Sequence, residues 1–274
     1  MSVLNMIRRG TENIPPRVLV YGREGVGKST FAAGTPNPVF VLTEDGISQI
    51  STTSFPLCRD VGDVRRYLQT LIDGEHDFRT VVIDSLDWLE NLVFAEVVRA
   101  ENKPNIRDIS DFEFGKGYSK AGKVFREILG MLQRLRMERR MIVILIAHAK
   151  DGEFSDPDTA KVRRFAPKLQ KTSMAVICEW VDLILQAKLT QAGERLLRSN
   201  GSLSCVAKTR YRIPATVPMR WKALYVEISK RPEPKRPETQ QKNEPIENVE
   251  NETSEETTEN TNEKENKDGE PARI

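Results

Sequence analysis

The chain has 274 residues, with 42 Lys and Arg, 40 Asp and Glu, and a formal net charge of +2. Residues 1–230 carry 35 basic and 27 acidic side chains, a net charge of +8, whereas residues 231–274 carry 7 and 13, a net charge of −6. This length permits one large α/β domain with appendages. No apolar run reaches the ~18 residues of a membrane span, and the charged N-terminus does not fit a secretory signal. We therefore expect a cytoplasmic protein without a membrane partner.

Composition divides the chain into three parts. Residues 231–274 are mainly Pro, Glu, Asn, Thr and Lys with almost no apolar side chain, which predicts a disordered acidic tail. Residues 15–230 form the predicted folded domain, and residues 1–14 precede it as a short extension. The three cysteines are far apart and lack metal-ligand spacing, which favours a reducing compartment over a disulfide scaffold.

Apolar runs alternate with helical patterns along most of the predicted domain. Five runs have the composition of buried strands, at 17–21, 38–42, 80–84, 141–147 and 181–188. Apolar residues three and four apart predict helices at 64–72, 86–98 and 121–135. This alternation predicts an α/β fold with a mostly parallel central sheet. Further on, Asn200-Gly201 separates the short runs 194–197 and 203–207, which predicts a C-terminal antiparallel hairpin.

Residues 22–30 fit the pattern Gly-x4-Gly-Lys-Ser, between a predicted strand and the start of a predicted helix. In that context glycines let consecutive backbone N–H groups turn inward around an anion, and the helix N-terminus adds its positive end. Lys28 supplies a mobile charge for the β- and γ-phosphates, and Ser29 is placed to hold Mg²⁺. The predicted nucleotide-binding residues are Gly22, Arg23, Glu24, Gly25, Val26, Gly27, Lys28, Ser29 and Thr30.

Polar residues follow three of the predicted strands, at the edge where an open α/β sheet binds its ligand. Asp84 ends the third run, where it can hold Mg²⁺ through water opposite Ser29. Glu44 follows the second run and His148 the fourth, which places both near the γ-phosphate. Ser85 directly after Asp84 cannot act as a base, so a catalytic carboxylate has to come from elsewhere. A capping glutamate and a surface histidine are the alternatives for Glu44 and His148.

Together these motifs resemble the RecA-like recombinase ATPases, and most closely the phage-encoded single-strand-annealing recombinases of that superfamily. The matching stretches are 22–30, Thr-Glu at 43–44, Val-Val-Ile-Asp-Ser at 81–85, Phe-Gly-Lys-Gly-Tyr at 114–118, Ile-Ala-His at 146–148 and Ala-Lys-Thr-Arg-Tyr-Arg-Ile-Pro at 207–214. The resemblance covers about residues 15–228. It implies a RecA-like P-loop NTPase core over residues 15–230, with ATP and Mg²⁺ as cofactors, in a phage protein of the host cytoplasm.

The resemblance also implies catalytic roles beside that of Lys28. Glu44 would be the general base that orients water, and His148 the γ-phosphate sensor, where RecA has glutamine. Lys208 and Arg210 lie two apart on an extended segment, so their side chains project from one face. The resemblance places such a pair at a subunit boundary, where it reaches the neighbour's γ-phosphate. An ordinary surface pair is the alternative.

Two long polar connections, 99–117 and 150–172, correspond in the resemblance to the loops that face the DNA axis of RecA-like filaments. Both carry aromatic rings, such as Phe112 and Phe165, beside positive charge, a combination that suits single strands. The predicted DNA-binding residues are Lys103, Arg107, Phe114 and Lys116 in the first connection, and Lys161, Arg163, Arg164 and Lys168 in the second. A solvated charged loop is the alternative for each.

The sequence thus predicts an ATPase that acts as a single-stranded-DNA-binding recombinase or annealing protein in phage DNA recombination, replication or repair. We expect stimulation by single-stranded DNA and a homo-oligomer, either a ring or a filament. A single-stranded-DNA-binding protein is a further candidate partner. Two other functions stay open: a P-loop small-molecule kinase with residues 150–172 as its lid, and a regulatory ATP-binding protein that does not contact DNA.

Overall fold

The structure is a computed structural model that describes residues 13–156 and 159–230, with the backbone alone for the described part of residues 153–162. In chain order its elements are β1 (Arg17–Gly22), α1 (Lys28–Ala33), β2 (Pro38–Leu42), β3 (Thr53–Ser54), α2 (Val61–Asp73), β4 (Thr80–Asp84), α3 (Leu86–Glu101), α4 (Lys116–Glu138), β5 (Ile142–Asp156), β6 (Thr159–Pro167), α5 (Lys171–Trp180), β7 (Leu183–Leu189), β8 (Arg195–Arg198), β9 (Lys208–Thr209), β10 (Thr216–Pro218) and α6 (Trp221–Ser229). The predicted acidic tail, residues 1–12 of the predicted extension and the side chain of Lys161 lie outside the described residues.

The central sheet is mixed and mostly parallel. Its main path runs in the order β10-β8-β7-β1-β5-β4-β2-β3, while β9 pairs with β7 and β6 with β5. All pairs from β7 to β3 along this path are parallel, and β8, β9 and β10 pair in antiparallel fashion. Four of the five predicted strands lie side by side at its centre, and β7 closes the group. The structure confirms an α/β fold with a mostly parallel central sheet.

Helices cover both faces of the sheet, because its central strands bury side chains on both sides. Leu19 and Tyr21 of β1 contribute to the core shared with α2, α3, α4 and α5, whereas Val18 and Val20 contribute to the core shared with α1 and α6. This division follows the alternation of side chains along a strand. Within the described residues, none of the six helices is long and apolar enough to cross a membrane.

Parallel register brings the predicted polar positions to one edge of the sheet. Gly22 at the end of β1 pairs with His148 in β5, and Leu42 at the end of β2 pairs with Asp84 at the end of β4. The chain therefore leaves β1, β2 and β4 at the same level, beside the point where β5 passes His148. The sheet positions the predicted phosphate loop and the three polar strand ends together.

In the described part of the chain, the strands at the two ends of this main path are short. On one side β3 has two residues, and it pairs with β2 through Thr53 and Ser54. On the other side β10 has three residues, the last of which is Pro218. Proline has no N–H group to donate, so it suits an edge position.

The predicted hairpin at Asn200-Gly201 is wrong in its location. The runs on either side of it do not pair, and the antiparallel partner of β8 is β7, with β10 on its other edge. The turn between β7 and β8 contains Gly193 with a φ angle of 79°. Gly201 has no positive φ angle, whereas a type I′ turn needs one at both central residues. The antiparallel strands exist, but another turn forms the hairpin.

The predicted polar loop 150–172 is instead largely a two-stranded antiparallel ribbon. β5 continues past the core to Asp156, and β6 returns beside it from Thr159 to Pro167, with Lys150 opposite Ala166 and Gly152 opposite Arg164. The other polar connection, 99–117, contains the end of α3, two short 3₁₀ turns and the start of α4. We call the described residues that follow His148 in β5 and those of β6, 149–156 and 159–167, the β5–β6 ribbon.

Candidate active site

The loop between β1 and α1 has a backbone conformation that fits phosphate binding. Gly25 and Gly27 have φ angles of 71° and 98°, in the left-handed region where other residues are strained. Val26 between them is buried in the core, which fixes the loop against the sheet. Left-handed residues in such a loop turn successive N–H groups towards one side and form a concavity for an anion.

Lys28 is a buried cation that lies against this loop. The residue is only 6% exposed. Its Nζ donates hydrogen bonds to the carbonyl oxygens of Gly22 at 3.1 Å and Arg23 at 3.0 Å. Burial lowers the pKa of Lys28, while the nearby carboxylates of Asp84 and Glu44 oppose that shift. A phosphate would offer this ammonium group a stronger acceptor than two neutral carbonyls.

Ser29 and Asp84 form the pair that could hold a metal ion. The Ser29 hydroxyl donates a hydrogen bond to Oδ2 of Asp84 at 2.6 Å. Burial raises the pKa of Asp84, against the effects of Ser29 and Lys28. Among the described residues, no group of three or more His, Cys, Asp or Glu side chains could form a protein-only metal cage. One hydroxyl and one carboxylate fit Mg²⁺, which usually takes its other ligands from phosphates and water.

His148 lies between two carboxylates. Its ring Nδ1 donates a hydrogen bond to Oδ2 of Asp87 at 2.9 Å, and its backbone N–H donates to Oδ1 of the same residue at 3.0 Å. On the other side of the ring, Nε2 lies 4.0 Å from Oε1 of Glu44. The hydrogen bond with Asp87 raises the pKa of His148, although burial opposes it. The structure therefore brings Glu44 and His148 together, across the end of β4, which lies between β2 and β5 in the sheet.

Asp87 also belongs to this site, although it is not among the catalytic residues predicted from the sequence. Burial disfavours its charge, but the hydrogen bonds from the His148 side chain and backbone outweigh that effect and lower its pKa. Asp87 lies in the first turn of α3, three residues after Asp84. Its partner is 61 residues away in sequence, so only the register of β4 and β5 could have indicated the contact.

The charges of the site favour a nucleotide that carries a divalent cation. Lys28 and His148 face three carboxylates, those of Glu44, Asp84 and Asp87. Burial raises the pKa of Glu44, and the neighbouring Asp84 adds to the shift, while His148 opposes it. A bare polyphosphate would meet repulsion from these carboxylates, whereas a Mg²⁺ ion would neutralise part of that charge.

Asp87→Asn should weaken both the His148 interaction and the fold. Asparagine keeps the size and one acceptor oxygen but loses the charge, so we expect the pKa of His148 to fall and the free energy of unfolding to drop by about 1–2 kcal/mol. Because the pKa of His148 is raised in the folded state, protonated His148 stabilises the fold below pH 6.5, the pKa of the unfolded state. This stabilisation is lost as the pH rises through the folded-state pKa. The lowered pKa of Asp87 stabilises above 3.8 and is lost as the pH falls through its folded value.

Between about pH 4 and pH 6.5 both contributions are therefore present. Ring-proton NMR titration measures the pKa directly, with His76, the other histidine of the chain, as the internal control. Urea unfolding at about pH 5 and about pH 9 measures the change in stability, which should be larger at the lower pH. An unchanged His148 pKa in Asp87→Asn would contradict the assignment.

Lys208 and Arg210 lie at the opposite edge of the sheet from the phosphate loop. Lys208 pairs with Ile184 of β7, which in turn pairs with Leu19 of β1, three residues or ~10 Å along the strand before Gly22. Its Nζ donates to the carbonyl oxygens of three residues at the end of α5, which are Cys178, Glu179 and Val181. Arg210 donates to Oδ1 of Asp182 at 3.0 Å and is about half exposed. Neither side chain can reach the phosphate loop of its own chain.

The predicted DNA-binding residues differ in their exposure and in their contacts. In the first connection, Lys103 pairs with Glu101 at 2.6 Å, Arg107 is exposed, and the Lys116 ammonium lies 5.9 Å from the ring of Phe114. The Phe114 residue is 95% exposed. In the second connection, Arg163 and Lys168 are exposed and Arg164 is half-buried.

Two of the aromatic rings are not free for bases. Phe112 is buried in the core, where it packs against the backbone at Gly117. Phe165 is half-buried, and the guanidinium group of Arg23 lies 5.6 Å from the centre of its ring. The Tyr21 hydroxyl donates to the carbonyl oxygens of Phe165 and Val206. These contacts connect the base of the β5–β6 ribbon with β1 and the phosphate loop.

The parallel sheet, the glycine loop before α1 with its buried lysine, and the serine–aspartate pair define a P-loop NTPase. The family model described as AAA domain matches residues 14–211. This match spans well over half of the chain, and the chain belongs to the AAA domain family. No curated protein matches the chain. Family membership indicates a nucleotide-binding ATPase domain, while the roles of individual residues stay predictions.

Proposed function

We propose that the chain is an ATP- and Mg²⁺-dependent recombinase of phage type, which binds single-stranded DNA, assembles with copies of itself and anneals or exchanges strands. The observation that carries this proposal is the continuity of β5. The strand passes from the buried core through His148 at the candidate active site and continues directly into the β5–β6 ribbon, which carries Lys150, Arg163 and Arg164. A nucleotide sensor and a surface for nucleic acid would thus share one strand.

The chemistry would follow from the positions of five side chains, with Asp87 holding one of them. Lys28 would bind the β- and γ-phosphates, and Ser29 with Asp84 would hold Mg²⁺, which neutralises charge on the phosphate oxygens. Glu44 would orient a water molecule and take its proton, because burial raises its pKa towards neutrality. His148, held by Asp87, would donate from Nε2 to the γ-phosphate. Each group is close to the carboxyl edge of the sheet.

Exposed cations support the DNA part of the proposal. Lys150 and Arg163 are exposed on the ribbon and Lys168 directly after it, with Asp151 as an exposed acidic neighbour. Phosphates of a single strand need cations of this kind, and the affinity should fall as salt rises. Phe114 adds an exposed ring in the other connection, held at a φ angle of 53°. A bulky residue in this strained region points to a functional constraint.

The test is the steady-state ATPase rate with and without single-stranded DNA, together with binding of a labelled oligonucleotide over a salt series. We expect stimulation by single-stranded DNA and an affinity that falls with rising salt. Duplex DNA of the same length is the control. ATP hydrolysis that ignores DNA, with no oligonucleotide binding at low salt, would reject the proposal and favour a kinase or a regulatory ATP-binding protein.

We expect Arg210→Ala to lower the ATPase rate of the assembled protein by about tenfold, with nucleotide affinity nearly unchanged. The reason is that Arg210 cannot reach its own phosphate loop, so a catalytic role would act on a neighbour, where such a cation stabilises the transferring phosphoryl group. The loss should be partial, because Lys208 remains beside it. Sedimentation, run alongside the phosphate-release assay, confirms that the variant still assembles.

Mixing subunits makes the test sharper. Assemblies that contain both Arg210→Ala and Glu44→Gln chains have some interfaces with an intact base from one subunit and an intact arginine from the other. ATPase activity should therefore partly return in the mixture. No recovery in assemblies shown to be mixed would leave Arg210 with only its structural contacts to Asp182 and the end of α5.

A further inference from the structure

A cavity of about 250 Å³ lies between the first turns of α3 and the base of the β5–β6 ribbon. Trp88 and Asn91 line it from α3, and Lys150, Lys168 and Gln170 line it from the ribbon and the residues after it. Asp87, which holds His148, lines the same cavity. The cavity is therefore adjacent to the candidate active site. Its lining combines residues of α3 with residues of the second predicted DNA-binding connection, 150–172.

The burial around Trp88 reverses the usual pattern of a helix, in which apolar side chains are buried and charged ones are exposed. It is 49% exposed, whereas the carboxylates on either side of it, Asp87 and Glu90, are each only 6% exposed. In the part of the chain that the structure describes, no aromatic ring and no cation packs on the indole. An exposed indole loses the hydrophobic stabilisation that burial would give. Its exposure beside buried acids indicates a ligand for its ring.

The two acidic groups of the cavity are already engaged inside the protein. Asp87 accepts both hydrogen bonds from His148. Glu90 accepts from the backbone N–H of Gln170 at 3.0 Å through each of its oxygens, and burial raises its pKa. Neither carboxylate therefore faces the cavity as an unpaired negative charge, and the exposed charges at its rim are the lysines.

The exposed groups match the parts of one nucleotide in a single strand. Lys150 and Lys168 are exposed, and the Lys150 ammonium group is held at the rim by the carbonyl oxygen of Leu169. Asn91 presents an exposed amide, which can donate to and accept from a base edge. A ring that stacks on a base, with cations for the flanking phosphates, is the combination that single-strand-binding proteins use.

We propose that this cavity binds one unpaired base, stacked on Trp88, with the adjacent phosphates on Lys150 and Lys168. The inference rests on the proposed function, because it names a contact of the same single-stranded DNA. It also places that contact next to the nucleotide sensor. Trp88 adjoins Asp87 in the chain, and the backbone N–H of Lys168 donates to the carbonyl oxygen of His148 at 2.8 Å. A bound nucleotide would thus contact Trp88 and Lys168, which adjoin His148 through Asp87 and through the Lys168 backbone respectively.

The test compares oligothymidine with an abasic oligonucleotide of equal length, both labelled with fluorescein, by fluorescence anisotropy. Trp88→Ala should weaken oligothymidine binding by about tenfold and leave abasic binding unchanged, because only the former offers bases to stack. Trp88→Phe should retain most of the affinity, since it keeps an aromatic face. Lys168→Gln should weaken the binding of both oligonucleotides. The matched control is Tyr225→Ala on α6, which is equally exposed at 49% and should change neither.

The outcomes separate this inference from the proposed function. Equal oligothymidine affinity in folded Trp88→Ala and the unaltered protein overturns the cavity assignment alone. If the unaltered protein binds neither oligonucleotide, DNA binding fails and the assignment with it. A fall in oligomer size in Trp88→Ala, with unchanged DNA affinity per subunit, shows that the indole contacts another copy and also overturns it. Circular dichroism and thermal unfolding establish that each variant is folded.

Discussion

Lys28→Ala should abolish measurable ATP binding. The Lys28 ammonium group lies directly against the phosphate loop, where it donates hydrogen bonds to the carbonyl oxygens of Gly22 and Arg23. Without it, the carboxylates of Glu44, Asp84 and Asp87 would face the phosphates with no cation from α1 between them. Loss of one charge-assisted contact to a polyphosphate in a buried site is a large loss of affinity.

The fold should survive this substitution. Burial lowers the pKa of Lys28, so the charged side chain opposes folding to some degree, and the thermal midpoint of Lys28→Ala should stay close to that of the unaltered protein. Titration with a fluorescent ATP analogue measures affinity, and Lys222→Ala on α6 is a matched lysine control away from the site. Near-normal ATP affinity in Lys28→Ala would remove the basis of the proposed function.

Glu44→Gln should leave ATP binding intact and reduce turnover by ~10²-fold or more. Glutamine keeps the shape and the polar contacts of the side chain but cannot accept a proton at neutral pH. The base needs a pKa nearer to neutrality than that of an exposed glutamate, and burial together with Asp84 raises the pKa of Glu44 in that direction. Phosphate release at saturating ATP, with single-stranded DNA present, measures the effect.

Three other carboxylates, those of Asp45, Asp87 and Glu90, are the alternatives to Glu44 as the general base. Asp87 is bound to His148 and Glu90 to the backbone of Gln170, so both carboxylates have other partners. Asp45 is the neighbour of Glu44 and is exposed, which makes Asp45→Asn the matched control. Unchanged turnover in Glu44→Gln, together with a loss in Asp45→Asn, would move the base by one residue.

Much of the fold follows from local sequence, because its central strands are apolar on both faces. The alternation of such runs with helical patterns predicts the parallel sheet, and the polar residue that ends each run predicts which side chains meet. Glu44 and His148 are an example, since they are far apart in the chain and their side chains lie 4.0 Å apart in the structure. The glycine loop is equally local, as its φ angles are set by residues within it.

Features that depend on distant polar contacts could not be predicted. The β5–β6 ribbon pairs residues such as Lys150 and Ala166, which show no alternation of apolar and polar side chains. Asp87, in the first turn of α3, acquires its contact with the site only through His148 of β5. Asn200-Gly201 has the composition of a tight turn, but the partner that β8 finds in β7 places the turn at Gly193 instead.

The short strands at the two ends of the main sheet path restrict how copies of the chain can associate there. A long free edge offers a row of unpaired N–H and C=O groups that another chain can extend into a continuous sheet, which is a common route to aggregation. At the two ends of the main sheet path, the described edge strands have two and three residues, with Pro218 among them, and offer little of this template. Contacts between copies at these two ends would therefore use side chains of helices and loops, whereas β6, which pairs with β5 alone among the named strands, keeps a longer edge open. Side-chain contacts can form and separate during a reaction cycle without breaking the hydrogen bonds of the sheet.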